Sequence, residues 1–172
     1  MPYDPTTSAY GTPAGFRAYH EARGRSLPAA ALDDDQVTPA LLVTSEWIDN
    51  KYRGSFGGYK FGLRTQVRDW PRYDARDADL NDIPSDSVPD EVIAATYEGA
   101  FLQLSNPGVF AVNYTPPRYT SARVEGAVAV TYAQLDSASV QTQFAIVDQL
   151  LSRILAGNGD GGYSALSGRI VR

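Results

Sequence analysis

Apolar residues recur at helical spacing in four separate stretches of the chain. After Thr12-Pro13, an N-cap with Pro at the first helical position, Phe16, Tyr19 and Ala22 or Arg23 share a face, and Gly24 is placed to stop the helix. A second helix starts near Asp35 or Thr38, tolerates Pro39 in its first turn and runs to about Tyr52. Leu41, Ile48 and Tyr52 form its stripe, with Trp47 beside them. Ser87 and Pro89 open a third helix, where Asp90 and Glu91 suit the positive end of the dipole. Ile93, Tyr97, Ala100, Phe101 and Leu104 make its apolar face, and Asn106-Pro107-Gly108 ends it. A fourth helix spans roughly 140–155, with Phe144, Val147, Leu151, Ile154 and Leu155 on one side and Gly157 as its stop.

The segments between these helices are of three kinds. Residues 1–12 are rich in Pro, Thr, Ser and Tyr and read as an extended arm. Residues 53–87 carry Gly54, Gly57, Gly58, Gly62, Pro71 and Pro84 with little periodicity, and long loops of this kind are usually functional or disordered. Alternation in Ala122–Glu125 and Ala127–Tyr132 predicts two short strands, or one strand bent at Gly126, within a β element at 118–133. Beyond the helical domain, 13–156, residues 157–172 form a glycine hinge and an apolar, β-prone tail. The tail either docks on another chain by strand addition or folds back on its own domain. The expected fold is mainly α: a small bundle of about four helices with a short β-hairpin and extended terminal arms.

Charge changes the picture more than composition does. Lys51, Arg53, Lys60, Arg64, Arg68, Arg72 and Arg76 crowd one stretch against only Asp69 and Asp74. Asp77, Asp79, Asp82, Asp86, Asp90, Glu91 and Glu98 follow with no cation among them. Adjacent blocks of opposite sign predict faces that meet a partner, including a neighbouring copy of the chain. The subunit or partner interface is therefore assigned to Arg64, Arg68, Trp70, Pro71, Arg72, Arg76, Asp79, Asp82 and Asp86, with Trp70 and Pro71 as an apolar anchor. The bland alternative is pairing of these charges within one chain.

Candidate chemistry is sparse. There is no cysteine, which excludes disulfides, thiolate nucleophiles and zinc-thiolate sites. His20 is the only histidine and has no evident metal or catalytic partner, so it reads as a helix-surface residue. Asp33-Asp34-Asp35 lacks the glycine turn and distal Glu of a calcium loop and reads as a helix cap. The glycines at 157–162 follow a helix and lack the Lys-Ser/Thr ending of a phosphate-binding loop. No catalytic residue, metal ligand or cofactor is assigned, and a small hydrolase is disfavoured because no nucleophile–base pair can be assembled. The N-terminal residues show no basic and apolar segments of a secretion signal, and no run approaches the roughly 20 apolar residues of a membrane span. A soluble, cytosolically made product without membrane contact is expected.

Tyr52, Phe56, Tyr59, Phe61, Trp70 and Tyr73 interleave with the basic block, a mixture used by single-strand binders for stacking and backbone tracking. A net charge of −5 and a pI near 4.8 oppose general polyanion binding. Arginine can instead pair with acids of a neighbouring subunit and aromatics can anchor that contact, which is the reading the flanking acids favour.

Taken in order, several short segments resemble a phage protein family. They are Phe16-Arg17-Ala18-Tyr19 with Arg23-Gly24, Ser45-Glu46-Trp47-Ile48-Asp49 with Tyr52, Gly57-Gly58-Tyr59-Lys60 and Trp70-Pro71-Arg72. Ile83-Pro84, Val88-Pro89, the helix Ala94–Ala100, Val124–Val128 and Gly168–Arg172 complete the set. The chain from about residue 14 onward resembles the head–tail connector (adaptor) proteins of tailed phages and related gene-transfer particles, whose members are often labelled "DnaT-like single-stranded DNA-binding protein". The resemblance implies a non-enzymatic virion component, assembled in the host cytoplasm at the particle neck, as a ring of about twelve copies below the portal protein. Its implied partners are the portal, its own copies and the next neck, head-closure or tail-terminator protein, with packaged DNA passing through the lumen unbound. The portal-docking arm maps onto Leu166, Gly168, Arg169, Ile170, Val171 and Arg172. The alternative is a phage single-stranded DNA-binding or replication accessory protein using residues 51–76.

Overall fold

A computed structural model describes residues 9–111 and 144–155. These residues are mainly helical: α1 (Pro13–Glu21), α2 (Asp34–Tyr52), α3 (Asp90–Ser105) and α4 (Ala145–Leu151). Single turns of 3-10 helix occur at Ala29–Leu32, Arg53–Ser55, Leu63–Thr65 and Val109–Ala111. One short antiparallel hairpin joins β1 (Tyr59–Lys60) to β2 (Arg72–Tyr73), with Tyr59 opposite Tyr73 and Lys60 opposite Arg72. The hairpin thus lies inside the 53–87 segment. The strands expected at 118–133 fall outside the described residues, as do residues 1–8 and the hinge and docking arm from 157 onward.

The helix boundaries follow from local chemistry. Thr12 is extended and its Oγ1 accepts the Gly15 N–H at 3.1 Å, while Pro13 opens α1. The chain turns out of α1 through Gly24 at φ +62°, a left-handed conformation that favours glycine. Asp33 caps α2 by accepting the Asp35 N–H at 2.9 Å. Because α2 begins at Asp34, Pro39 lies past the first turn and not within it, leaving the i−4 carbonyl of exposed Asp35 without its helical donor. The fourth helix is shorter than its apolar pattern. Leu155 forms a single antiparallel bridge with Phe56, so the chain has already left helical geometry before Gly157.

Packing centres on α2 against α3 and α3 against α4. Gly99 makes the first contact close: a Cβ there would collide with Thr44 Cγ2 of α2. One apolar cluster gathers Phe16, Val37, Leu41, Tyr97 and Ala100; a second joins Ile48, Trp70, Val92, Val147 and Leu151 with Tyr10. Each fully buried Val, Leu, Ile or Phe side chain among these contributes about 1.5–3 kcal/mol relative to exposure.

His20 is not on the surface as its sequence context implied; it is fully buried. Four residues after Phe16, it falls on the same buried stripe of α1, and its ring packs edge-on to Phe16 and Tyr19 with centroids 4.7 and 5.0 Å away. Burial lowers its pKa, which favours the neutral ring, and its Nε2 lies 3.2 Å from the Tyr97 carbonyl oxygen.

Candidate interaction surface

The basic block folds into a layer with a polar interior and an aromatic exterior. At its inner side Tyr10 is completely buried and acts as a hub. Its hydroxyl donates to Asp49 Oδ1 at 2.5 Å and accepts the backbone N–H groups of Asp69 and Trp70, both at 3.0 Å. Its own N–H donates to Ser45 Oγ at 3.0 Å. Asp69, also fully buried, receives Arg53 Nε at 3.1 Å and pairs with Lys60 Nζ at 2.8 Å. Arg68 lies between Asp49 and Glu46, 3.6 Å from each. Burial pushes the Asp49 carboxyl up to about 6, against the hydrogen bond from Tyr10.

Arg72 holds the hairpin base. It donates to the carbonyls of Gly57 and Gly58 at 2.6 and 2.7 Å and to that of Asp69 at 3.3 Å. Gly58 is required there, at φ +65°, because a Cβ would collide with the Tyr73 carbonyl. Gln66 braces the tip: its amide donates to the carbonyls of Arg68 and Pro71, and its carbonyl accepts the Gly62 N–H. The Trp70–Pro71 peptide is cis.

The interface residues expected from the sequence therefore separate into two groups. Arg68, Trp70, Pro71 and Arg72 are interior, so Arg68 and Arg72 meet groups of their own chain instead of a neighbour's acids. Trp70 is an anchor of the core, packed against Phe56 with ring centroids 5.6 Å apart. Arg76 pairs with Asp82 at 2.9 Å across an exposed bridge. Lys51 pairs with Asp148 of α4. Burial alone would raise the Asp148 carboxyl, but hydrogen bonds from Tyr52 and Lys51 hold it below the ordinary value. Of the seven cations, Arg64 alone makes no ion pair or backbone contact among the described residues; it is exposed, as are Asp79 and Asp86. The docking arm, Leu166–Arg172, lies outside the described residues.

Of the aromatics that interleave with the basic block in the sequence, the structure gathers Tyr59, Phe61 and Tyr73 on the outer face of the hairpin. Tyr59 and Phe61 flank Tyr73, with ring centroids 5.5 and 4.9 Å away, the latter pair stacked. Tyr59 is 51% exposed, Phe61 43% and Leu63 66%, with Arg64 next to them in sequence. The period-2 placement of Tyr59 and Phe61 carried this signal, but the glycines around it hid the strand. Past the other end of β2, Asp77 accepts the N–H groups of Asp79 and Asn81 and the Asn81 side-chain amide, forming an ordered acidic turn that projects Leu80. Among the described residues no group of His, Cys, Asp and Glu is arranged to hold a metal ion, and no helix is long and apolar enough to cross a membrane.

A protein-family model described as "Putative DnaT-like ssDNA binding protein" matches this chain over residues 3–172. No curated protein and no solved structure matches.

Proposed function

The chain belongs to this DnaT-like ssDNA-binding protein family, and from that premise we propose that it is a non-enzymatic contact module, the head–tail connector of a tailed-phage or phage-like particle. In this role it forms a ring under the portal, extends the DNA channel and joins head to tail. One observation carries the protein-contact reading: the cations expected to attract phosphate are engaged within the chain, except Arg64. What remains outside is an aromatic hairpin face, with Asp79 and Asp86 also exposed, on a chain of net charge −5. Such a face loses little by leaving water against protein and gains little from a polyanion. The connector role rests further on the succession along the sequence of short segments that resemble those proteins, from Phe16–Tyr19 through Trp70-Pro71-Arg72 to Gly168–Arg172.

A second reading has its own support. The family description names single-stranded DNA, which favours this reading over the connector, and Tyr59, Phe61 and Tyr73 offer the flat rings on which unpaired bases stack. Gel shifts with oligo(dT) across a salt series, together with microscopy of purified particles, separate the two. The connector reading expects weak binding and density for this chain at the neck. Tight, salt-sensitive retention of oligo(dT) with no such density would replace it by the DNA-binding reading.

A further inference from the structure

We propose that the hairpin face around Tyr59, Phe61, Leu63 and Arg64 receives the acidic turn of a second copy of the chain, Asp77–Asp82, with Leu80 as its apolar tip. The proposal rests on the protein-contact reading and assigns that contact to two surfaces. Both are preformed. The hairpin face is fixed from behind by Arg72 and Gln66, and the Phe61 N–H donates to the Pro71 carbonyl at 3.1 Å. The turn is fixed by the three hydrogen bonds to Asp77, and the Ala78 N–H donates to the Arg153 carbonyl just past α4 at 2.7 Å. Little ordering cost is left for association.

Their chemistry is complementary. The hairpin presents apolar area and the Arg64 guanidinium, which makes no ion pair among the described residues. The turn presents a leucine 67% exposed and the Asp79 carboxylate, which makes no ion pair among the described residues. Leu63 and Leu80 share a further peculiarity: both are non-glycine residues at positive φ, 51° and 66°. An exposed leucine held in that conformation is strained, with no burial inside the domain to offset it. Burial in a partner would supply the offset. Both surfaces stay exposed in one copy, so each copy can offer one to the next; repeated in one direction, such a contact closes into a ring or runs on as a filament.

The chain contains no cysteine, which gives a clean background for disulfide trapping. Leu63→Cys and Leu80→Cys are made separately in the full chain, mixed at high concentration and oxidised mildly. Mixed disulfides cannot arise within one molecule. The expected result is a mixed dimer far above the random proportion of mixed to like pairs. Arg64→Asp should cut it about tenfold, and Asp79→Arg added on the other partner should restore it. A random proportion, or a loss that the reversed charge does not restore, overturns the contact. So does a Tyr59→Ala, Phe61→Ala variant that loses oligo(dT) binding while trapping is unchanged, since the face would then serve bases. Neck density in particles without the mixed dimer overturns this contact and leaves the connector reading standing. The mixed dimer without neck density does the reverse.

Discussion

The helical half of the molecule and the 53–87 segment are both ordered, yet they are held by different forces. Between α2, α3 and α4 the contacts are apolar volumes, close enough that Gly99 admits no side chain against Thr44. In the 53–87 segment Trp70 enters that core, but around it the buried groups are carboxylates, guanidinium and a phenol satisfying one another. Apolar packing tolerates pH and fails when volume changes. A buried polar network tolerates little loss of any member and responds to pH.

The difference can be broken most directly at Asp69. Asp69→Ala leaves Lys60 and Arg53 without their buried partner and should destabilise the fold by about 3 kcal/mol, discounted for the solvated Arg53 head, in urea or guanidinium titration. A loss no larger than that of a surface substitution would mean the network is ornamental.

Asp49 sharpens the contrast through pH. Its carboxyl moves from 3.8 in the ordinary state to about 6 in the fold, so between these values the folded chain holds a proton that the unfolded chain has released. The group's stabilising contribution is therefore full below about pH 4, falls as pH rises and is gone above about 6, a change of about 3 kcal/mol. The stability of Asp49→Asn should lack this decline, and the difference between its pH profile and that of the parent chain is the readout. Parallel profiles would remove the assignment.

On the apolar side, Gly99→Ala should cost about 1–3 kcal/mol by overpacking, with no pH dependence. Adding Thr44→Ser removes the Cγ2 in its way while keeping the hydroxyl that donates to the Ala40 carbonyl, and should recover much of the loss in thermal melts. Smallest is Thr12→Ala, which deletes the α1 cap for about 1 kcal/mol.

The helices were legible because their signals are local. Caps at Thr12 and Asp33, the stripe Leu41, Ile48 and Tyr52, and the acids opening α3 lie within a few residues of what they govern. The polar network was not legible, since Tyr10 meets residues 59 and 60 positions away and nothing in a sequence period reports that. For the same reason a basic block that looks external is internal at Arg68 and Arg72, whose partners include carboxylates of α2 and carbonyls of the glycine turn. His20 failed differently: its position on the stripe of Phe16 was visible, but its polarity argued for water.

Tyr10 also bears on how the molecule can be handled and made. A truncation that trims the start of the chain to the first helix would pull a stopper from between α2 and the Asp69–Trp70 corner, stranding two amide hydrogens and a carboxylate in a dry hole. During synthesis this plug leaves the ribosome before α2 and the Asp69–Trp70 corner that receive it, so it settles only once its socket has been made.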